Sequence, residues 1–184
     1  MEFVVIYNLD VKQKVPEKYS KIFFGMGCFW GAERKFWQLD GVYTTFVGYA
    51  GGHTKNPTYE EVCTGNTGHA EVVKVIYDKQ VINIDSLLKI FWEAHDPTQL
   101  NRQGNDLGTQ YRSLILTSEN KELNLLETSK LKYQQRLDAN AKGLIKTEIK
   151  LLDTFFFAED YHQKYLYKNP NGYCGLQGLN IRYL

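Results

Sequence analysis

Cys28 stands in the run Gly25-Met26-Gly27-Cys28-Phe29-Trp30-Gly31, directly after the apolar segment Ile22-Phe23-Phe24. A cysteine at that point sits where a strand ends and a helix begins. Helix N-termini carry unpaired N–H groups and partial positive charge, so this placement is expected to favour the thiolate over the thiol. The glycines allow close approach of backbone or substrate, and Phe29 and Trp30 supply aromatic walls beside the sulfur. A free cysteine is more often a small buried hydrophobe. That reading accounts for the sulfur but not for the glycines and aromatics crowded around it, and a nucleophile is the expectation.

A nucleophilic thiol needs a proton donor and hydrogen-bond donors aimed at developing negative charge. Gly65-Asn66-Thr67-Gly68-His69-Ala70-Glu71 places a carboxylate at the start of a strand. Gly104-Asn105-Asp106-Leu107-Gly108-Thr109-Gln110-Tyr111-Arg112 places Asp106 and Tyr111 just before another, and Tyr59 lies in a glycine-rich loop. A glutamate and two tyrosines could supply those groups if the fold brings them together. An acid that holds its proton near neutral pH must be desolvated, because an ordinary Glu ionises near pH 4.3. Glu71 and Cys28 are therefore expected to titrate as a coupled pair.

These residues must be carried by regular elements. Lys21 to Gly25 reads as a short buried strand, followed by a helix from Phe29 to about Leu39 that turns Phe29, Ala32 and Phe36 to one side. Thr44 to Tyr49 reads as a strand, and Ala50 to Tyr59 as an irregular loop. Glu71 to Tyr77 alternates, with Glu71, Val73, Val75 and Tyr77 on one face and Val72 and Ile76 on the other. Asp85 is the expected cap of a helix ending near Ala94, with Leu87, Leu88 and Phe91 at helical spacing. Thr98 to Gln110 reads as a polar loop and Ser113 to Leu116 as a strand. Thr117 or Ser118 is expected to cap a helix to Leu137, with Leu123, Leu126, Tyr133 and Leu137 inward. An extended region covers Ile149 to Phe157, and Lys168 to Leu184 reads as mobile coil. Strands alternating with long helices predict an α/β two-layer sandwich, a mixed sheet flanked by helices.

Length and composition agree. A chain of 184 residues suits one domain with a sizeable core, with residues 1–20 as an N-terminal arm and 168–184 as a tail. Charge is balanced at 22 Lys+Arg against 21 Asp+Glu, which leaves no electrostatic footprint for nucleic acid or an anionic membrane. No apolar run reaches the length of a membrane span, and the start lacks the basic region of a signal peptide, so a cytoplasmic location is expected. Cys28, Cys63, Cys174 and the four histidines are scattered rather than clustered, which argues against a metal site.

The motif Gly27-Cys28-Phe29-Trp30-Gly31 resembles the signature of the peptide methionine sulfoxide reductases of type A. The similarity continues in order through Phe46 to Gly52, Asn56 to Tyr59, Glu61 to Gly65 and Thr67 to Glu71. It runs on through His95 to Gln99, Gln103 to Asp106, Gly108 to Ser113, Ala158 to Gln163 and Gly172 to Gly175. The resemblance implies a ferredoxin-like split βαβ core with a long C-terminal coil. It implies that Cys28 attacks the sulfur of methionine S-sulfoxide, free or in oxidised proteins, while Glu71 protonates the oxygen. Tyr59 and Tyr111 would donate hydrogen bonds to that oxygen, and Asp106 would support the site. Phe29 and Trp30 would hold the methyl group, with His162 behind them. Cys174 would then resolve the Cys28 sulfenic acid to a disulfide that thioredoxin reduces, with no cofactor and as a monomer. No cysteine follows Cys174, so the relay should end there. Two alternatives remain open at this point: a Cys-His acyl transferase or hydrolase using His69 or His162, and a non-catalytic redox-sensing module.

Overall fold

The computed structural model describes residue 16 and residues 18–184; the arm expected over residues 1–20 lies almost wholly outside them. Among the described residues eight strands and five helices follow one another as β1 (Ser20–Met26), α1 (Phe29–Phe36), β2 (Val42–Ala50), α2 (Tyr59–Cys63), β3 (Ala70–Tyr77), α3 (Ile84–Ala94), β4 (Arg102–Gln103), β5 (Asp106–Leu107), β6 (Ser113–Thr117), α4 (Leu123–Asp138), β7 (Glu148–Leu151), β8 (Phe155–Phe157) and α5 (Tyr165–Lys168). The main sheet has the order β7-β6-β1-β3-β2-β8, and β4 and β5 form a separate two-stranded ribbon. Among the described strands of this sheet β6 and β7 pair in parallel and the other neighbours are antiparallel. Its four central strands, with β1 and β2 running alike on either side of β3, have the expected split βαβ arrangement.

The period-2 pattern of β3 sorts its residues as expected. Val73 and Val75 face the larger core with Ile22, Phe24 and Met26 of β1, Val47 and Tyr49 of β2, and the buried faces of α1, α3 and α4. Phe24 lies between Phe36 of α1 and Phe91 of α3, with ring centroids 5.0 and 5.1 Å away. The opposite sheet face gathers Phe23, Ala50, Ala70, Val72, Leu114 and Leu116, with Leu152 and Phe155 packed on them.

The sheet is strongly curled. Strands β7 and β8 sit at its two ends, yet only residues 152–154 join them. Six strands spaced by ~4.8 Å would separate those edges by roughly 24 Å in a flat sheet, whereas so short a connection spans at most about 14 Å. The edges therefore approach one another, and the smaller core fills the concave side.

Two expected helix starts move. Asn83, not Asp85, caps α3, its Oδ1 accepting from the Ser86 N–H at 2.8 Å; Asp85 lies in the first turn. A short 3-10 turn, Asn120–Glu122, separates Thr117 from α4, so neither Thr117 nor Ser118 is its cap. Leu126, Tyr133 and Leu137 are buried in α4, while Leu123 is half-buried. The C-terminal segment is coil beyond α5 but is fastened at its end: Tyr133 Oη donates to the Ile181 carbonyl at 3.2 Å, and the Tyr183 N–H donates to Glu93 Oε1 at 2.8 Å. Ile181 and Tyr183 are buried. Among the described residues no helix is long and apolar enough to cross a membrane.

Candidate active site

Cys28 is the N-cap of α1, reached from β1 through Gly27 at φ +93°. A side chain at Gly27 would meet Gln103 at 2.7 Å, so glycine is required both by the turn and by the packing. The Cys28 side chain makes no cap hydrogen bond, although the N–H groups of Trp30 and Gly31 pull its pKa downward. The net direction is nevertheless upward. Burial acts first and the neighbouring Glu71 carboxyl second. The helix start alone predicted a favoured thiolate; desolvation and a facing acid overturn that.

Glu71 belongs to the face of β3 turned toward α1, and it is almost fully buried. Its Oε2 accepts the Phe29 N–H at 2.9 Å, which sets the carboxyl on the first turn of α1, one residue from Cys28. Burial raises its pKa to about 8, against the Phe29 N–H, and the Asp106 charge adds to the rise. A carboxyl that retains a proton at neutral pH is the acid that a nucleophilic Cys28 requires.

The tyrosines converge here too. Tyr59 is not in a loop but opens α2, whose N-terminus is closed by a capping box: Thr58 Oγ1 accepts from the Glu61 N–H and Glu61 Oε2 from the Thr58 N–H. The Tyr59 N–H is held by Glu159 Oε1 at 2.9 Å, and Glu159 Oε2 takes the Tyr49 hydroxyl at 2.7 Å. Tyr111 ends the 3-10 turn Thr109–Tyr111. Both hydroxyls are held protonated, by burial first; the Glu71 charge is the next cause for Tyr111 and the contact with Cys63 for Tyr59. Asp106 lies on β5, its charge acting on Cys28, Glu71 and Tyr111.

The aromatic wall is built by α1 and the segment before α5. Trp30 Nε1 donates to His162 Nδ1 at 3.0 Å, and the indole stacks on Tyr165 with centroids 3.8 Å apart. His162 also lies against Phe29 and Tyr59, at 5.0 and 4.7 Å. Since His162 Nδ1 accepts, its proton sits on Nε2, and burial lowers its pKa. Beneath this wall Lys164, in a left-handed conformation at φ 53°, forms a buried ion pair with Glu33 of α1, with Nζ to Oε1 at 2.6 Å. Thr45 closes the cluster through its hydroxyl and carbonyl.

Sequence reasoning missed several residues that assemble the site. Arg112 donates to the carbonyls of Thr109, Gly51 and Gly68 at 2.9, 3.3 and 3.0 Å, and Nε pairs with Glu148 at 3.3 Å. One guanidinium thereby gathers the loop after β2, the loop before Glu71 and the turn carrying Tyr111. Glu33, Glu159, Lys164 and Tyr165 were also unassigned. Arg112 and Glu159 stand in stretches that carry the resemblance, whereas Glu33, Lys164 and Tyr165 have no such local signal.

Three histidines are committed to other partners, His162 through the Trp30 indole already described. His69 has its ring nitrogens on the Gly52 N–H and the Thr54 carbonyl, at 3.0 and 2.9 Å. His95 is buried between the Phe91 carbonyl and Ser113 Oγ, with its pKa lowered to about 4 by burial. Cys63 is exposed at the rim, and Cys174 is half-buried; all three cysteines are free thiols.

An N-cap thiol beside a buried protonated carboxyl, with His69 and His162 bonded elsewhere, fits a thiol-dependent oxidoreductase better than a Cys-His hydrolase. The family model described as peptide methionine sulfoxide reductase matches residues 20–182. The chain belongs to the peptide methionine sulfoxide reductase family. It is 58% identical over 176 residues to the peptide methionine sulfoxide reductase MsrA of Brucella anthropi, covering 96% of this chain and 81% of the relative. The namesake in Vibrio parahaemolyticus is 61% identical over 162 residues, covering 88% and 76%. Among solved structures, methionine sulfoxide reductase A of Corynebacterium diphtheriae is similar at TM-score 0.83 and 47% identity, covering 86% of this chain and 79% of that one. Reduced Mxr1 of Saccharomyces cerevisiae is similar at TM-score 0.79 and 36% identity, covering 90% and 96%.

Proposed function

We propose that the whole chain acts as one catalytic domain and a monomer, reducing methionine S-sulfoxide, free or within oxidised proteins, by way of Cys28. The observation that carries this is the Phe29 N–H bond to Glu71, which sets a carboxyl with pKa about 8 beside the Cys28 helix start. The sulfoxide methyl packs against Phe29 and Trp30, with His162 fixing the indole from behind. Glu71 protonates the oxygen, Tyr59 and Tyr111 donate hydrogen bonds to it, and Asp106 supports the site through hydrogen bonds. Cys28 sulfur attacks the sulfoxide sulfur, and its thiol proton replaces the one that Glu71 gave up. The oxygen then passes to Cys28, methionine leaves, and Cys28 is left as a sulfenic acid.

Cys174 attacks that sulfenic sulfur, releasing water and forming the Cys28–Cys174 disulfide. Mxr1 has also been solved in complex with Trx2, and a thioredoxin is the reductant we assign here. A reducing compartment would keep the three cysteines as free thiols, which favours the cytoplasm. The test is single-turnover reduction of each epimer of an N-blocked methionine sulfoxide by wild type, Cys28→Ser and Cys174→Ser. Cys28→Ser should release no methionine. Cys174→Ser should release one equivalent from the S-epimer and then stall with thioredoxin. Multiple turnovers by Cys174→Ser with thioredoxin would exclude the resolving role.

A further inference from the structure

The stretch carrying Cys174 is a strap fastened at both ends. Upstream, the Gly172 N–H donates to the Asn169 carbonyl at 2.9 Å, and Gly172 packs tightly on Leu166 and Tyr165. Downstream, Gly178 presses on the Glu93 carbonyl, where no side chain could fit. Between these points the strap crosses the first turn of α1. A Cβ on Gly31 would lie 2.9 Å from Cys174 Sγ and 3.3 Å from Leu176 Cβ, so Cys174 occupies a notch that exists because residue 31 has no side chain. Cys28 is the N-cap that opens this same first turn, three positions before Gly31, and the Tyr173 hydroxyl at the strap feels both the Cys28 and the Cys174 charge, which puts the notch beside Cys28.

From Tyr173 to Gly178 the strap makes one hydrogen bond among the described residues: Tyr173 Oη donates to Asp106 Oδ1 at 3.1 Å. The ring reaches Asp106 by folding back over its own chain, because a Cβ on Gly175 would fall 2.3 Å from Tyr173 Oη and 2.9 Å from its Cζ. A Cβ on Gly104 would in turn lie 3.5 Å from the Gly175 carbonyl, so the ribbon loop and the strap lie against each other. A cavity of about 310 Å³ separates the remainder of the strap from the loop that carries Asp96, Gln99 and Gln103. The strap is thus supported at the Cys174 notch and at the Tyr173–Asp106 contact, and is open beside them.

We infer that Tyr173 is a positioning residue for the resolving step, a clasp whose bond to Asp106 keeps Cys174 parked in the Gly31 notch beside Cys28. The clasp rests on the assignment of Cys28 and Cys174 above and extends it. It raises the local concentration of the Cys174 thiol at the sulfenic sulfur without touching the sulfoxide. The step it serves consumes one thiol and one sulfenic acid and yields one disulfide and one water.

The test separates the two chemical steps by rapid mixing of stoichiometric methionine S-sulfoxide with enzyme, acid quench and mass spectrometry. Tyr173→Phe keeps the ring and removes the donor. Methionine release in the first turnover should stay within twofold of wild type, while Cys28–Cys174 disulfide formation slows about fivefold and sulfenic acid accumulates, as expected for one exposed hydrogen bond to a carboxylate. Gly175→Ala, which drives the ring off the strap, should reproduce this effect, and the double variant should be no slower than the slower single one. Unchanged disulfide formation in Tyr173→Phe overturns the clasp, as does equal slowing of both steps or additive effects in the double variant. If wild type itself forms no Cys28–Cys174 bond, the cysteine assignment fails and the clasp fails with it.

Discussion

Replacing Glu71 by glutamine should make the protein relatively more heat-resistant as the pH rises. In the folded chain burial holds the Glu71 carboxyl at about 8, against 4.5 for a free carboxyl. The folded state therefore binds a proton that the unfolded state has lost between those two values, and stability falls as pH rises through that window. At about 1.4 kcal/mol per pH unit, ionising this nearly fully buried group costs the folded state on the order of 5 kcal/mol above pH 8. The amide in Glu71→Gln never ionises and keeps an acceptor for the Phe29 N–H. The Tm of the variant relative to wild type should accordingly climb by roughly 10 °C from pH 5 to pH 8.5. Differential scanning calorimetry of both proteins at four pH values reads this directly. A Tm difference that stays flat, or that falls with pH, would refute the argument, because it would mean an ionised carboxylate stabilised in the folded state. The same variant should lose single-turnover sulfoxide reduction by orders of magnitude while still binding substrate. Stability and activity would thereby trace one proton by two unrelated measurements.

Other substitutions test the scaffold. Lys164→Met alone should cost about 3–5 kcal/mol in urea unfolding, because it strands the fully buried Glu33 carboxylate, whereas the double variant Glu33→Leu/Lys164→Met should recover most of that loss. Arg112→Lys cannot reach three carbonyls and Glu148 together; a loss of about 2 kcal/mol and a raised KM are expected from unfolding curves and steady-state rates. A Cβ at Gly48 would lie 2.2 Å from the Phe156 carbonyl, so Gly48→Ala should separate β8 from β2 and raise amide exchange at residues 155–157. Cys63→Ser should leave the Cys28–Cys174 disulfide intact in peptide mapping of the oxidised enzyme; a Cys28–Cys63 bridge in wild type would contradict the proposed relay.

What the sequence disclosed and what it concealed divide along the range of the forces involved. β3 was legible because alternation from Glu71 to Tyr77 is a local signal, and it put Glu71 on the correct face. α1 was legible from Phe29, Ala32 and Phe36, and the glycines around Cys28 marked the turn. α2 was overlooked although Thr58 and Glu61 have capping-box spacing, because the preceding Asn56-Pro57 argued for irregular chain. The electrostatic direction at Cys28 was misjudged because a helix start is visible locally, while burial and a carboxyl 43 residues away are not. The Gly-rich tail read as mobile for the same reason. Its fastening depends on Tyr133 and Glu93, residues 48 and 90 positions away from their partners.

The short passage between β7 and β8 has a consequence for behaviour outside the native state. A sheet edge is a template for pairing with another chain, and long flat edges invite aggregation. Here the two terminal strands have only four and three residues, and residues 152–154 hold them close together. Neither edge offers a stranger's strand a long row of free amides, and peeling one edge away strains the other. Unpairing of β8 should therefore expose the smaller core only together with loosening of β7. Those three residues thereby act as a guard against edge-to-edge pairing with other chains.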